Sequence, residues 1–205
     1  MIEAQAALDR LRDGNQRFVS GLRDRDAQPT ESRRIEVAGE QKPFAIILGC
    51  SDSRVPAEIV FDQGLGDLFV IRVAGNIVAP SQIGSVEFAA AQFQTRLVVV
   101  LGHSQCGAII ATLDELQQPT EYQSQNIRSI IDRIKPSVEP LLNSDTQHDS
   151  NTLVERAVRA NVDSSVGQLR RGSAILQRLV EKEGLIIAGA KYSLETREVE
   201  FFDAV

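Results

Sequence analysis

Four short runs rich in branched aliphatic residues, 44–49, 68–73, 97–102 and 185–190, are separated by connections too long for hairpins. Such runs read as strands buried between other layers. Strands joined by long connections pair in parallel, through right-handed crossovers that lay helices over the sheet. The chain is therefore expected to be α/β, with a central, mostly parallel β-sheet flanked by helices and an antiparallel edge strand near 198–202. Ahead of the first strand, Leu8, Leu11, Asn15 and Phe18 recur at helical spacing and Gly21 supplies a stop. This predicts an N-terminal helical arm in need of a surface to cover. Further helices are expected over 56–61, 81–93, 108–116, 124–142 with a break at Pro136, and 153–183 with a break near Gly167 or Gly172. At 205 residues the chain suits a single domain, 1–205, made of an arm (1–40) and an α/β core (44–205).

Two of these strands end in reactive side chains. Cys50-Ser51-Asp52-Ser53-Arg54 follows the first, and His103-Ser104-Gln105-Cys106 follows the third. The chain has only two cysteines and two histidines, yet both cysteines and one histidine fall at these ends. Open α/β sheets keep their binding crevice outside the carboxyl ends of their strands. Two thiolates and an imidazole suit zinc and leave a fourth tetrahedral position open. Cys50 and Cys106 could also be plain buried hydrophobes or a disulfide. The spacing of His103 and Cys106 favours metal, since residues three apart at a strand-to-helix turn can aim at one ion. Asp52 and Arg54, alternating with Cys50, can project to the same side and set a carboxylate and its cation beside that ion.

Residues 49–56 read with 102–107 resemble the β-class carbonic anhydrases, whose zinc is held by the cysteine of a CxDxR motif and by an HxxC. The likeness extends through 61–64, 67–72 and Ala74-Gly75-Asn76, and covers roughly residues 10–192. It implies one Zn2+ per subunit on Cys50, His103 and Cys106, with Asp52 a ligand only in a closed form. It implies reversible hydration of carbon dioxide to bicarbonate and a proton, with a zinc-bound hydroxide as the attacking group. Two thiolates cancel the charge of zinc, so Asp52 would orient that group and Arg54 would keep the carboxylate ionised. The resemblance further implies substrate contacts from Gln41, Phe69 and Gly107, with Phe69 reaching the cleft of a neighbouring subunit in a homodimer or tetramer. The N-terminal helix would cross that partner. Phe88 stands where plant-type members carry a cleft tyrosine. Ile47 replaces the tryptophan of a regulatory bicarbonate pocket, although Arg72 and Tyr192 match its other two residues.

Other functions fit less well. Gly102 to Cys106 nearly spells a GxSxG hydrolase elbow, but the last glycine is missing and the only histidine downstream is His148, in a polar stretch read as surface loop. Hydrolysis of carbonyl sulfide or carbon disulfide uses related scaffolds. A non-catalytic zinc or redox-sensing protein would leave Asp52 and Arg54 without a task. Gly64-Leu65-Gly66 precedes a strand and reads as a turn, Ala74-Gly75-Asn76 as a turn needing a left-handed residue, and Arg23-Asp24-Arg25-Asp26 as a solvated run. A net charge of −6 without a basic cluster argues against nucleic acid or an anionic membrane as partners. No run approaches the ~18 apolar residues of a spanning helix, and the first residues carry acid, so the expected location is cytoplasmic.

Overall fold

A computed structural model describes residues 2–22, 30–119, 124–142 and 149–202. Five strands, β1 (Ala45–Gly49), β2 (Leu68–Arg72), β3 (Leu97–His103), β4 (Ile186–Tyr192) and β5 (Val199–Phe201), form one sheet in the order β2-β1-β3-β4-β5. The first four are parallel and β5 is antiparallel to β4. Every residue of β1 and β3 is buried, as near-continuous apolar runs require. Successive side chains of a strand point to opposite faces, so Ile46, Leu48, Val98 and Val100 feed one core and Ala45, Ile47, Val99 and Leu101 the other.

Helices cover both faces. On the first, α4 (Pro80–Gln92), α7 (Ser150–Gly172) and α8 (Ala174–Glu183) bury Val86, Val162, Leu169 and Leu176. On the second, α1 (Ala4–Ser20) and the one-turn α3 (Ala57–Val60) bury Ala7, Leu8, Leu11 and Val60. A third core joins α5 (Gly107–Gln117) and α6 (Gln125–Leu142) to α7 beside Cys50 and Cys106. Between α1 and β1, α2 (Glu31–Gly39) buries no residue, which is why apolar periodicity gave no sign of it. Thr30 caps it, and Arg33 ties it to Asp67 at 3.2 Å and to the Leu65 carbonyl at 3.0 Å.

One expectation needs correction. Helix α6 runs unbroken through Pro136 and Pro140. Both prolines are exposed, so the carbonyls they free face water, while Ile131, Ile134 and Val138 hold the opposite side in the core. The break in the long C-terminal span falls at Ser173, directly after Gly172, as expected of that glycine. There the Ser173 hydroxyl accepts from the Leu176 amide to cap α8 and donates to Glu87. Helix α1 lays its apolar stripe on its own chain. His148 and the run from Arg23 to Asp26 lie outside the described residues.

Two residues lock α1 in place. Asn15, 6 % exposed, donates to the carbonyls of Val60 (3.1 Å) and Arg197 (3.0 Å) and accepts from the Val199 amide (2.8 Å). Gly14 lets the helix touch the backbone beside it, since a Cβ there would lie 1.9 Å from the Phe61 carbonyl oxygen. Gly14→Ala should therefore destabilise the protein by about 1–3 kcal/mol in urea unfolding, the usual range for overpacking. Gly39→Ala, in α2 with nothing within 4 Å of the added atom, should cost nothing and gain up to about 1 kcal/mol from helix propensity. Equal effects of the two would contradict the close approach.

Candidate metal centre

The register of the parallel strands brings the reactive residues together. Gly49 of β1 pairs with Leu101 of β3, so Cys50 leaves the sheet beside the end of β3 that carries His103. The turn after β3 then places Cys106 at the N-cap of α5, with Gln105 left-handed at φ 53°. The sulfurs of Cys50 and Cys106 and a ring nitrogen of His103 all lie within 4.8 Å of one another, and all three residues are buried. Both cysteines are free thiols.

These residues fit a thiophilic divalent cation. The Nδ1 of His103 lies 2.8 Å from the Ser104 carbonyl, an acceptor, so Nδ1 carries the proton and Nε2 presents a lone pair. That Nε2 is buried and has no hydrogen-bond partner, a costly state for a polar atom unless a ligand meets it. The thiol pair is equally unsettled. The side chain of Cys106, then that of His103 and the backbone N–H groups of Asp52 and Gly75, pull the Cys50 thiol down against burial. Cys50 beside it and burial push the Cys106 thiol up. A cation between the two sulfurs would release both as thiolates.

Around the ligands, backbone and side chains fix each element. The Gly75 N–H points at Cys50 Sγ from 3.4 Å. Its peptide is set by the turn Ala74–Asn76, in which Gly75 (φ 67°) and Asn76 (φ 43°) are left-handed, as the sequence predicts for this segment. Two buried residues of α7 hold that turn, Asn161 donating to the Gly75 carbonyl (2.8 Å) and Ser165 to the Asn76 carbonyl (3.1 Å). Arg72 donates to the carbonyls of Cys50 (3.2 Å) and Asp52 (2.7 Å) and so staples the loop that carries the first ligand. None of these contacts was visible in the sequence, because each depends on which backbone groups the tertiary fold leaves without partners.

Asp52 and Arg54 meet as the alternation suggests. Arg54 grips the carboxylate with two parallel bonds, Nε to Oδ1 at 2.9 Å and Nη2 to Oδ2 at 2.7 Å, and its amide adds a third at 2.9 Å. The Arg54 guanidinium thereby holds Asp52 well below the usual carboxylate range. Asp52 Oδ2 lies 3.9 Å from His103 Nε2, next to the space the three ligands face.

Other expected site residues lie elsewhere. Gly107 opens α5 beside Cys106, where a first-turn N–H has no partner within its own helix. Gln41 is exposed before the start of β1 and lines a groove with Phe44, Gln92, Phe93 and Arg96. Phe69 pairs with Ile46, near that same end of the sheet. The length of β1, about 17 Å at the usual rise, separates Gln41 from Cys50. Within one chain neither Gln41 nor Phe69 belongs to the metal-ligand cluster. The bicarbonate pocket stays incomplete, because Ile47 is core where the resemblance calls for a tryptophan. The hydrolase elbow fails as well, since Ser104 is buried with its hydroxyl on Glu195 and the left-handed residue is Gln105.

A Cys-His-Cys cluster at the carboxyl end of a mostly parallel sheet, with a carboxylate–guanidinium pair at its open side, is a group that could hold one metal ion in an α/β protein. Residues 45–199 match the family model for carbonic anhydrase. The chain is 41% identical over 196 residues to the carbonic anhydrase of Mycolicibacterium smegmatis, covering 95% of this chain and 91% of that one. It is 38% identical over 190 residues to carbonic anhydrase 2 of Mycobacterium tuberculosis, covering 93% and 88%. In structure it resembles a β-carbonic anhydrase of Aspergillus fumigatus, with a TM-score of 0.76 at 22% identity over 98% of this chain and 91% of that one. The chain belongs to the carbonic anhydrase family, in its β class.

Alanine at Cys50, His103 or Cys106 should each lower zinc content of the purified protein well below one ion per subunit, measured by atomic absorption. Full occupancy in Cys106→Ala would remove that residue from the ligand set.

Proposed function

We propose that this protein catalyses the reversible hydration of carbon dioxide to bicarbonate and a proton, with one Zn2+ per subunit held by Cys50, His103 and Cys106. The observation that carries this reading is the unpartnered Nε2 of His103 beside two buried cysteine sulfurs and a carboxylate locked by Arg54. Zinc bound there would supply a Lewis acid that lowers the pKa of a water in its open fourth position.

The chain's own residues do the rest. A carboxylate can only accept hydrogen bonds. Asp52 can therefore take the remaining proton of the attacking oxygen as a hydrogen bond and turn one of its lone pairs toward carbon dioxide. Arg54 keeps Asp52 ionised and turned away from the ligand cluster, so the fourth position stays free for water. The first-turn N–H of Gly107, which its own helix does not use, can serve a substrate oxygen as negative charge develops on it. A passive zinc or redox-sensing site would give Asp52 and Arg54 nothing to do. Free thiols persist in a reducing compartment, which supports a cytoplasmic location. Among the described residues no helix is long and apolar enough to cross a membrane.

The substrate contacts of Gln41 and Phe69 require a second copy of the chain. Strand β2 is an edge whose first three residues are only half buried, and Phe88, 53% exposed, stands against Phe69 and Phe93 with ring centroids 6.3 and 5.6 Å away. In this reading that aromatic surface joins subunits in a homodimer or tetramer and carries Gln41 and Phe69 toward the partner's cleft.

Stopped-flow hydration of carbon dioxide, with carbonyl sulfide offered in parallel, tests the reaction. Turnover of carbon dioxide that vanishes with zinc removal and returns with zinc is the expected result; turnover of carbonyl sulfide alone would reject it. Arg54→Ala should keep its zinc but lose about 10–100-fold in activity, the usual cost of an outer-sphere partner. Unchanged turnover in that variant would make the Asp52–Arg54 pair irrelevant to catalysis. Phe88→Asp should shift the protein toward monomer in sedimentation velocity and lower activity with it, whereas an active, fully associated variant would displace the interface from this surface.

A further inference from the structure

The hydroxyl of Ser104 and the carboxylate of Glu195 lie outside everything the reaction above uses, and they meet directly behind a metal ligand. His103 donates its Nδ1 proton to the carbonyl of the next residue, Ser104, so the ring can point only as that peptide allows. Ser104 is 4% exposed and held on three sides by the segment joining β4 to β5. Its amide donates to the Tyr192 carbonyl at 2.9 Å, its hydroxyl accepts from the Leu194 amide at 2.9 Å, and the same hydroxyl donates to Glu195 Oε2 at 3.0 Å.

Glu195 is exposed, yet it is not a loose surface acid. Its Oε2 also accepts from the Ser193 hydroxyl at 3.2 Å. The turn closes on itself through Ser193 N–H to Glu198 and Arg197 N–H to Ser193, and Asn15 fastens it from α1 through Arg197 and Val199. Its own backbone N–H, then the Ser104 and Ser193 hydroxyls, hold the carboxyl below its ordinary range, with the Arg54 charge acting in the same direction.

We propose that Glu195 is a positioning residue for the metal centre, a clamp on Ser104 that fixes the carbonyl to which His103 is tethered and so aims Nε2 at the ion. The proposal rests on the assignment of Cys50, His103 and Cys106 as metal ligands. Outer-sphere partners of metal-bound histidines are typically worth 10–100-fold in metal affinity. Here the partner is a backbone carbonyl, so the side chains that fix the backbone take over that task. The clamp works through an acceptor oxygen and not through charge, which makes a distinctive demand: glutamine, which keeps an acceptor oxygen, should serve where alanine cannot.

The test uses the full-length protein loaded with zinc for chelator competition and with cobalt(II) for its visible spectrum. Glu195→Ala should weaken zinc binding about 10-fold and shift the cobalt ligand-field bands, with the thiolate-to-cobalt charge-transfer band retained. Ser104→Ala should do the same, the double variant should lose no more than either single one, and Glu195→Gln should match the wild type. Wild-type affinity and spectrum in Glu195→Ala would overturn the clamp, as would equal losses in the alanine and glutamine variants, which would mean that charge and not the hydrogen bond matters. Cys106→Ala separates the two levels. If it keeps its zinc, the ligand assignment fails; if it loses zinc while Glu195→Ala does not, only the clamp fails.

Discussion

Everything at the candidate centre depends on the pairing of β1 with β3. The two cysteines are 56 positions apart in the chain, and the ladder that sets Gly49 opposite Leu101 brings their strand ends together. A slip of one residue would turn every side chain of β1 to the opposite face. Ile46 and Leu48 would then leave the core formed with α4, α7 and α8, and Cys50 would point away from His103. The apolar residues on both faces therefore specify the register, and the chemistry inherits it. Gly102 shows how close the fit is: a Cβ there would come within 2.6 Å of Val162 Cγ2, so α7 packs directly on the backbone that leads to His103.

The electrostatics follow the same division between a rigid frame and a few committed groups. A buried imidazole nitrogen with no partner would burden the fold if nothing bound it. Arg72, Asn161 and Ser165 bear none of the reacting atoms, yet they hold the loops on which Cys50 and the Gly75 amide ride. Asp52 is fixed from the solvent side by Arg54, through short local bonds two residues apart in sequence. The ligand cluster thus needs the whole tertiary structure, while the acid–base pair needs only its own loop.

That difference explains what the sequence disclosed. Strands β1 to β4 were legible within a residue or two because buried parallel strands carry unbroken apolar runs, and the Cys-His-Cys cluster was legible because the runs of β1 and β3 each end at one of the two motifs. The Asp52–Arg54 pair could be read from alternation alone. Helix α2 could not, since a helix that buries nothing has no periodicity to read, and the continuity of α6 through Pro136 depended on water being present at the freed carbonyl. The tasks of Ser104, Glu195, Asn161 and Arg72 were out of reach for a single reason. Each acts on a backbone carbonyl or amide, and backbone groups carry no residue-specific mark in a sequence. Gln41 and Phe69 differ again: the spacing that marks them comes from resemblance, and one chain does not bring them to the ligands.

Asn15 has a consequence for how the chain folds. Its hydrogen bonds reach Arg197 and Val199, so helix α1 is fastened by a segment 182 to 184 positions further along the chain. Until that segment docks, the apolar stripe of Ala7, Leu8 and Leu11 has only part of its eventual seat and stays open to wrong partners. Docking of the hairpin then acts as a latch. The same hairpin that closes over α1 also closes over Ser104, so the helix and the turn from His103 to Cys106 are secured in one event.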